Sequence, residues 1–198
     1  MRLKISYNAP LILSYTILCF LLTGLDTFMG GNLSYGYFSV HSQFDSSNFL
    51  SYFRLISHVF GHENWTHLVA NFSLILLIGP ILEEKYGSKL LFIMIIVTAV
   101  ATGILNIAFF DTGLMGASGI VFMMIILGSF TNIQSGQIPI TFILVILIYL
   151  SKEVVNAFET DSISQFAHIV GGILGSLFGF ALNKRRSRNL RKIELEEI

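Results

Sequence analysis

Long uncharged apolar stretches alternate with short charged segments along this chain. Because a helix needs roughly 20 apolar residues to cross a hydrocarbon core about 30 Å thick, each stretch predicts a membrane span. The uncharged interval 112–151 is long enough for two spans, and the polar run 132–139 divides it. The pattern therefore predicts six spans, near residues 7–25, 64–82, 90–110, 114–131, 138–156 and 163–183.

Composition supports this pattern, since 54% of the 198 residues are apolar and only 12% are charged. A soluble domain of this size could not bury so many apolar side chains. We therefore expect an all-α, polytopic membrane protein built as a six-transmembrane-helix bundle. A β-barrel would need alternating strands of about ten residues, whereas these stretches are continuously apolar. The first stretch follows Arg2 and Lys4 like a signal peptide, but it lacks an A-x-A-like cleavage site, so we interpret it as a retained helix.

The distribution of basic residues predicts the orientation. Six spans place both termini on one side, together with ten Lys and Arg residues, whereas the other side has only Arg54 and Lys152. This bias predicts cytoplasmic termini, and we expect a multi-pass protein of a bacterial inner membrane. The aromatic-rich loop 26–63 then lies outside, partly in the membrane interface, and the charged tail 184–198 anchors the cytoplasmic side. Twelve basic residues balance twelve acidic ones, so charge gives no indication of a nucleic-acid partner.

Four polar side chains share one depth below the predicted outer surface. Each lies four to eight residues past the last outer charge of its span, or within roughly 6–12 Å of it along a helix. Polar side chains are costly within a span and indicate a functional site there. They are His67 and Asn71 in the second span, Ser118 in the fourth and His168 in the sixth.

The chemistry that these side chains permit is acyl transfer. A serine hydroxyl such as that of Ser118 becomes a nucleophile when a base, here His168, takes its proton. His67 and Asn71 are four residues apart on one helix face, where both could donate to an oxyanion. The backbone N–H of Ser118, at a helix start, is a third candidate donor. No acidic residue of a span is available to orient His168, so we predict a Ser–His dyad that needs no metal or cofactor.

Other interpretations of single residues remain open at this point. A lone serine in a membrane helix usually hydrogen-bonds to its own backbone, and a lone histidine more often stabilises the bundle. Three histidines within ten residues, His58, His62 and His67, could be metal ligands. The segment from His62 to His67 also resembles a zinc-protease helix motif. That motif has its histidines four residues apart, whereas a spacing of five separates them by about 140° on a helix, so we predict no metal.

A glycine stripe indicates how the dyad could assemble. Gly171, Gly175 and Gly179 recur every four residues in the sixth span, one turn beyond His168. Small residues at this spacing let two helix backbones approach closely. We expect the partner to be the fourth span, through Gly119.

Four motifs in order resemble those of the rhomboid intramembrane serine proteases, over nearly the whole chain. The resemblance includes an arginine in the first outer loop, here Arg54. The motifs are Gly116-Ala117-Ser118-Gly119, similar to GxSG; residues 167–175, similar to AHxxGxxxG; His62, His67 and Asn71, similar to HxxxxHxxxN; and residues 79–88, similar to GxxxExxxGS.

The resemblance implies catalysis by Ser118 and His168, with His67 and Asn71 in the oxyanion hole. It also implies cleavage of transmembrane protein substrates in the lipid bilayer, near the outer face, at a locally unwound helix after a small residue. One departure is Phe122, where the family often has a tyrosine stacked on the catalytic histidine. The alternatives are an inactive rhomboid-like protein that binds or escorts membrane proteins, and a transporter or proton carrier that uses the buried histidines. The second alternative predicts charged residues deeper in the bundle, which this sequence lacks. The sequence predicts nothing about oligomeric state.

Overall fold

The computed structural model describes residues 6–129, the single positions 140, 143, 144 and 147, and residues 166–182. Within this part of the chain the only β-type pairing is one isolated bridge between Val40 and Leu114. The all-α fold predicted from the hydrophobic pattern is confirmed. The helices are α1 Pro10–Phe28, α2 Leu33–Tyr37, α3 Phe49–Ser57, α4 Trp65–Tyr86, α5 Ser88–Phe109, α6 Ser118–Ser129 and α7 Phe166–Leu182.

Three of the described helices, α1, α4 and α5, are long and apolar enough to cross a membrane, and α6 and α7 are shorter apolar helices. They correspond to five of the six predicted spans, with ends that differ by a few residues. The predicted span near 138–156 lies outside the described residues, apart from the single positions above, and so does the tail 184–198. The segment 26–63, predicted to be an outer loop, contains two short helices, α2 and α3.

The ends of α4 are set by local hydrogen bonds and by one glycine. Asn64 caps its start, because its side-chain oxygen accepts the backbone N–H of His67 over 2.9 Å. The helix ends at Gly87, whose φ of +79° suits a residue without a Cβ. Near this end the Glu83 carboxylate accepts the backbone N–H groups of Leu11 and Ile12, which caps the start of α1. Glu83 thereby fastens α1 to α4 at one end of the bundle.

The fourth span becomes helical only at Ser118, four residues later than the predicted start near 114. Leu114 is not helical because it exchanges two backbone hydrogen bonds with Val40, at 2.9 and 3.0 Å. Gly116 then takes a φ of +122°, which no helix contains. Ser118 is therefore the first helical residue of α6 rather than an interior one.

Helix α6 lies at the centre of the described bundle. It packs against α4 and α5, and most of its residues are buried. A helix that is apolar on all sides is expected to be buried on all sides. The remaining contact is with α7, through glycines that lie next to the candidate site.

Candidate active site

The loop that leads into Ser118 is held in place by hydrogen bonds from two of its own consecutive backbone amides. The N–H of Gly116 donates to the carbonyl oxygen of His58 over 2.9 Å. The N–H of Ala117 donates to Nε2 of the His62 imidazole over 3.4 Å. Both acceptors belong to the segment between α3 and α4, so this segment determines how the chain enters α6. Ser118 itself is half-buried.

His67 lies directly against this loop. A Cβ built on Gly116 would lie 2.7 Å from Cε1 and 2.9 Å from Nε2 of the His67 ring, closer than real Cβ contacts come. The positive φ of Gly116 also disfavours any side chain. The glycine two residues before Ser118 is therefore required both by the turn and by the imidazole beside it.

Asn71 lies one turn further along α4, on the face that carries His67. Its side chain is buried, with 7% of its surface exposed. In the part of the chain that the structure describes, its Nδ2 has no hydrogen-bond partner. Leaving a buried donor unpaired costs about 1–3 kcal/mol, so such groups in native proteins call for an explanation. A substrate oxygen that accepts from Nδ2 would provide one.

His168 is positioned on α7 by an aromatic ring of α6. The rings of His168 and Phe122 are stacked, with centroids 4.1 Å apart and planes inclined by 8°. Phe122 follows Ser118 by one helical turn, so this stack places the His168 ring on the Ser118 side of α6. The ring that replaces the family's usual tyrosine therefore keeps the stacking contact.

Glycines bring α6 and α7 into backbone contact beside the site. A Cβ on Gly171 would overlap the carbonyl oxygen of Gly119, and one on Gly175 would lie 2.5 Å from the carbonyl oxygen of Met123. A Cβ on Gly172 would meet Ile126 at an ordinary 3.7 Å. The predicted contact of the glycine stripe with Gly119 is confirmed, and Gly172 is on a different face.

The segment before α4 contains two buried histidines that are neutral near pH 7. Burial lowers the pKa of His58 to about 4. Burial, with a smaller effect of His67, lowers the pKa of His62 to about 4 as well. His58 Nδ1 lies 3.1 Å from the carbonyl oxygen of Arg54, and Nε2 lies 3.3 Å from the Thr102 hydroxyl. The sequence indicates His58 only as a possible metal ligand, through the clustering of three histidines within ten residues.

The rings of His62 and His67 are close despite their spacing of five residues, with centroids 5.2 Å apart. They approach because His62 lies in the loop before α4 rather than on the helix. Among the described residues, no group of three or more His, Cys, Asp or Glu side chains could hold a metal ion.

Three helices thus converge on one end of the bundle. His67 of α4 contacts the loop before Ser118 of α6, and His168 of α7 is stacked on Phe122, one turn beyond Ser118. Asn71 lies one turn beyond His67 on α4. Hydroxyl, imidazole and amide groups gathered in this way have the composition of an acyl-transfer site. The candidate catalytic side chains therefore lie near the ends of their helices rather than in the middle.

Comparison with known proteins agrees with this arrangement. A family model described as "Rhomboid domain" matches residues 50–185. The chain is 25% identical over 140 residues to "Rhomboid protease GlpG" of Haemophilus influenzae, covering 69% of this chain and 73% of that protein. It is 27% identical over 190 residues to "Rhomboid protease GlpG" of Serratia proteamaculans, covering 93% of this chain and 66% of that protein.

A plant relative extends the similarity beyond bacteria. The chain is 21% identical over 159 residues to "Rhomboid-like protein 11, chloroplastic" of Arabidopsis thaliana, covering 72% of this chain and 57% of that protein. The family match extends from α3 to just past the end of α7, and it includes all four candidate site residues. This chain is an integral membrane protein and belongs to the rhomboid family.

Proposed function

We propose that this chain is an intramembrane serine endopeptidase with Ser118 as nucleophile and His168 as general base. The observation that carries the proposal is the position of Ser118 at the start of α6. One side of that start touches His67, through Gly116, and the other touches α7, through Gly119 and Gly171. The bacterial relatives are named rhomboid proteases, which supports the same reaction class.

In the first step the Ser118 hydroxyl oxygen attacks the carbonyl carbon of the scissile peptide bond. His168 takes the hydroxyl proton as the new bond forms. The stack on Phe122 holds the His168 ring in one orientation. A fixed ring reduces the reorganisation that accompanies proton transfer.

The carbonyl oxygen becomes negatively charged in the tetrahedral intermediate and needs hydrogen-bond donors. His67 and the unpaired Nδ2 of Asn71 supply two, and the backbone N–H of Ser118 supplies a third. The Nδ2 atom is already buried before substrate binds, so its desolvation is not a cost of the reaction step. Such preorganised donors stabilise the transition state more than the ground state.

The intermediate collapses when His168 returns the proton to the leaving amine. The peptide bond breaks, and the acyl group remains on Ser118. A water molecule then attacks the acyl carbon while His168 takes its proton. His168 returns that proton to the Ser118 oxygen as the ester bond breaks, and the carboxylic acid product leaves. The cycle regenerates the hydroxyl and the neutral imidazole, and each of its steps uses only groups of this chain, the substrate and water.

The proposed substrates are transmembrane proteins cleaved in or beside their membrane segment. The site residues lie at the end of the bundle that the charge bias assigns to the outer face of a bacterial inner membrane, with both termini cytoplasmic. The HxxxxHxxxN, GxSG and AHxxGxxxG residues meet there, which supports cleavage near the outer face.

The test is cleavage of a model transmembrane substrate by purified protein in detergent. Ser118→Ala should lower turnover by at least about 10⁴-fold, because it removes the nucleophile. A serine-reactive fluorophosphonate should label the wild type but not this variant. Ser129→Ala is the matched control, since that hydroxyl donates to Ile125 at the other end of α6. A wild type that binds substrate but neither cleaves it nor is labelled would support the inactive escort alternative instead.

A further inference from the structure

His62 has no part in the catalytic steps above, yet it is buried beside the nucleophile loop. It lies between α3 and α4, with 1% of its surface exposed. Its Nδ1 is 3.3 Å from the carbonyl oxygen of Phe60, and its Nε2 accepts the N–H of Ala117 over 3.4 Å. One imidazole therefore connects the segment before α4 to the residue that precedes Ser118.

These two contacts determine which ring nitrogen carries the proton. A carbonyl oxygen only accepts, so Nδ1 must donate to Phe60. A backbone amide only donates, so Nε2 must offer its lone pair to Ala117. His62 is therefore a neutral imidazole in a single tautomer, which agrees with its lowered pKa of about 4. Edge contacts with the rings of His67, at 5.2 Å, and Phe72, at 5.7 Å, hold its orientation.

The backbone amides of the loop before Ser118 point toward the segment between α3 and α4. The Gly116 N–H points to the carbonyl oxygen of His58, and the Ala117 N–H points to His62. Two successive amides are thus directed to the same segment. The next amide, that of Ser118, begins α6 and needs no acceptor within the helix. Its direction depends on the two amides before it.

We propose that His62 is a positioning residue for the nucleophile, acting through the Ala117 amide. Its Nε2 holds the peptide unit before Ser118, so that the Ser118 hydroxyl faces His168 while its N–H remains available to the oxyanion. The same imidazole contacts the His67 ring, so it sets the spacing between the nucleophile and one oxyanion donor. This role rests on the function proposed above.

Substituting His62 with glutamine or asparagine distinguishes the positioning role from a role in packing alone. The side-chain oxygen of glutamine reaches the position of imidazole Nε2, so His62→Gln keeps an acceptor for Ala117. The shorter side chain of His62→Asn reaches only the position of Nδ1 and leaves the amide without an acceptor. Both variants are neutral and polar, and both lose the aromatic ring.

The variants should differ in turnover rather than in substrate affinity. A misplacement near 1 Å costs about 10² in rate, so we expect kcat of His62→Asn to fall about 100-fold with KM changed by less than about threefold. We expect His62→Gln to retain kcat within about tenfold of wild type, because loss of the ring contacts weakens positioning without removing the hydrogen bond. Thermal unfolding identifies variants that lose activity by unfolding.

Hydrogen exchange provides a readout that does not depend on cleavage. The Ala117 amide should exchange faster in His62→Asn than in His62→Gln, which should match the wild type. Equal turnover and equal exchange in two folded variants would overturn the role of His62, while labelling of Ser118 in the wild type would leave the proposed function intact. A protected Ala117 amide in a wild type that neither cleaves nor is labelled would instead overturn the proposed function, and the positioning role with it.

Discussion

Each end of α4 contains a buried polar side chain, and the two side chains differ in whether their hydrogen-bonding groups are paired. At one end, Glu83 accepts the N–H groups of Leu11 and Ile12 at 2.9 and 3.0 Å and the hydroxyl of Ser88 at 2.7 Å. At the other end, within the described part of the chain, Nδ2 of Asn71 has no partner. A satisfied buried group stabilises the fold, whereas an unsatisfied donor reduces stability and is available to a ligand.

This difference assigns separate tasks to the two ends. The Glu83 end joins α1, α4 and α5, so substitutions there should change stability and leave the rate per folded molecule unchanged. The Asn71 end meets the starts of α6 and α7, so replacing its unpaired donor should change the rate and leave stability unchanged or improved. A stability–activity trade-off of this kind is common where active sites hold unpaired polar groups.

Among the variants that compare the two ends of α4, the largest effect is expected at Asn71. Asn71→Ala removes an oxyanion donor and should lower kcat about 10²–10³-fold with little change in KM. Asn71→Asp keeps the shape but offers no donor and repels the oxyanion, so it should be less active than Asn71→Ala. Cleavage kinetics and thermal unfolding should be measured together.

Ser73→Ala is the control for the Asn71 variants, because Ser73 is exposed on the same helix and donates to Val69 over 2.7 Å. It should leave kcat unchanged. An Asn71→Ala protein that cleaves as fast as wild type but unfolds more easily would reverse the assignment of the two ends.

The next effect concerns the contact of α7 with α6. Gly171→Ala places a methyl group against the Gly119 carbonyl and should separate the helices, so we expect a loss of about 10² in cleavage rate and a lower unfolding temperature. Gly171→Val should lose more of both. Gly172→Ala, whose methyl group would meet Ile126 at an ordinary distance, should remain close to wild type. Equal damage from Gly171→Ala and Gly172→Ala would show that a different face of α7 contacts α6.

Part of this site could be predicted from residue spacing alone. The apolar stretches predict α1, α4 and α5, because helices in lipid must satisfy their own backbone and cover themselves with apolar side chains. The four-residue glycine repeat predicts the approach of Gly171 to Gly119, since that spacing places small residues on one face. Both are local patterns in the chain.

Other features depend on contacts between distant residues. The start of α6 at Ser118 results from the pairing of Leu114 with Val40, which no local pattern near residue 114 indicates. The unpaired state of the Asn71 amide depends on how neighbouring helices pack around it. These features are set by pairing and packing between residues that are distant in the sequence. Local sequence patterns therefore do not predict them.

At the opposite end of α4, Glu83→Gln should change the stability of the fold without changing the rate of cleavage. Hydrogen bonds to a buried carboxylate contribute about 1.5–3 kcal/mol each, and a glutamine leaves one backbone N–H facing an amide that donates. We expect the free energy of unfolding to fall by about 3 kcal/mol, while cleavage per folded molecule stays at the wild-type rate. Glu84→Gln, at an exposed neighbouring position, should change neither quantity. A large loss of kcat in a folded Glu83→Gln protein would mean that the two ends are coupled.

The smallest expected effect is at Phe122, whose ring is stacked on the ring of His168. Stacked aromatic pairs contribute about 0.5–1.5 kcal/mol beyond the area they bury, so Phe122→Leu should lower kcat by about tenfold or less. Phe122→Tyr keeps the ring plane against His168 and should retain activity. Cleavage kinetics and thermal unfolding, measured for both variants, separate the ring contact from simple packing. If Phe122→Leu kept the rate of the wild type, the stack would serve packing alone, and the chemical end of the bundle would not extend to this turn of α6.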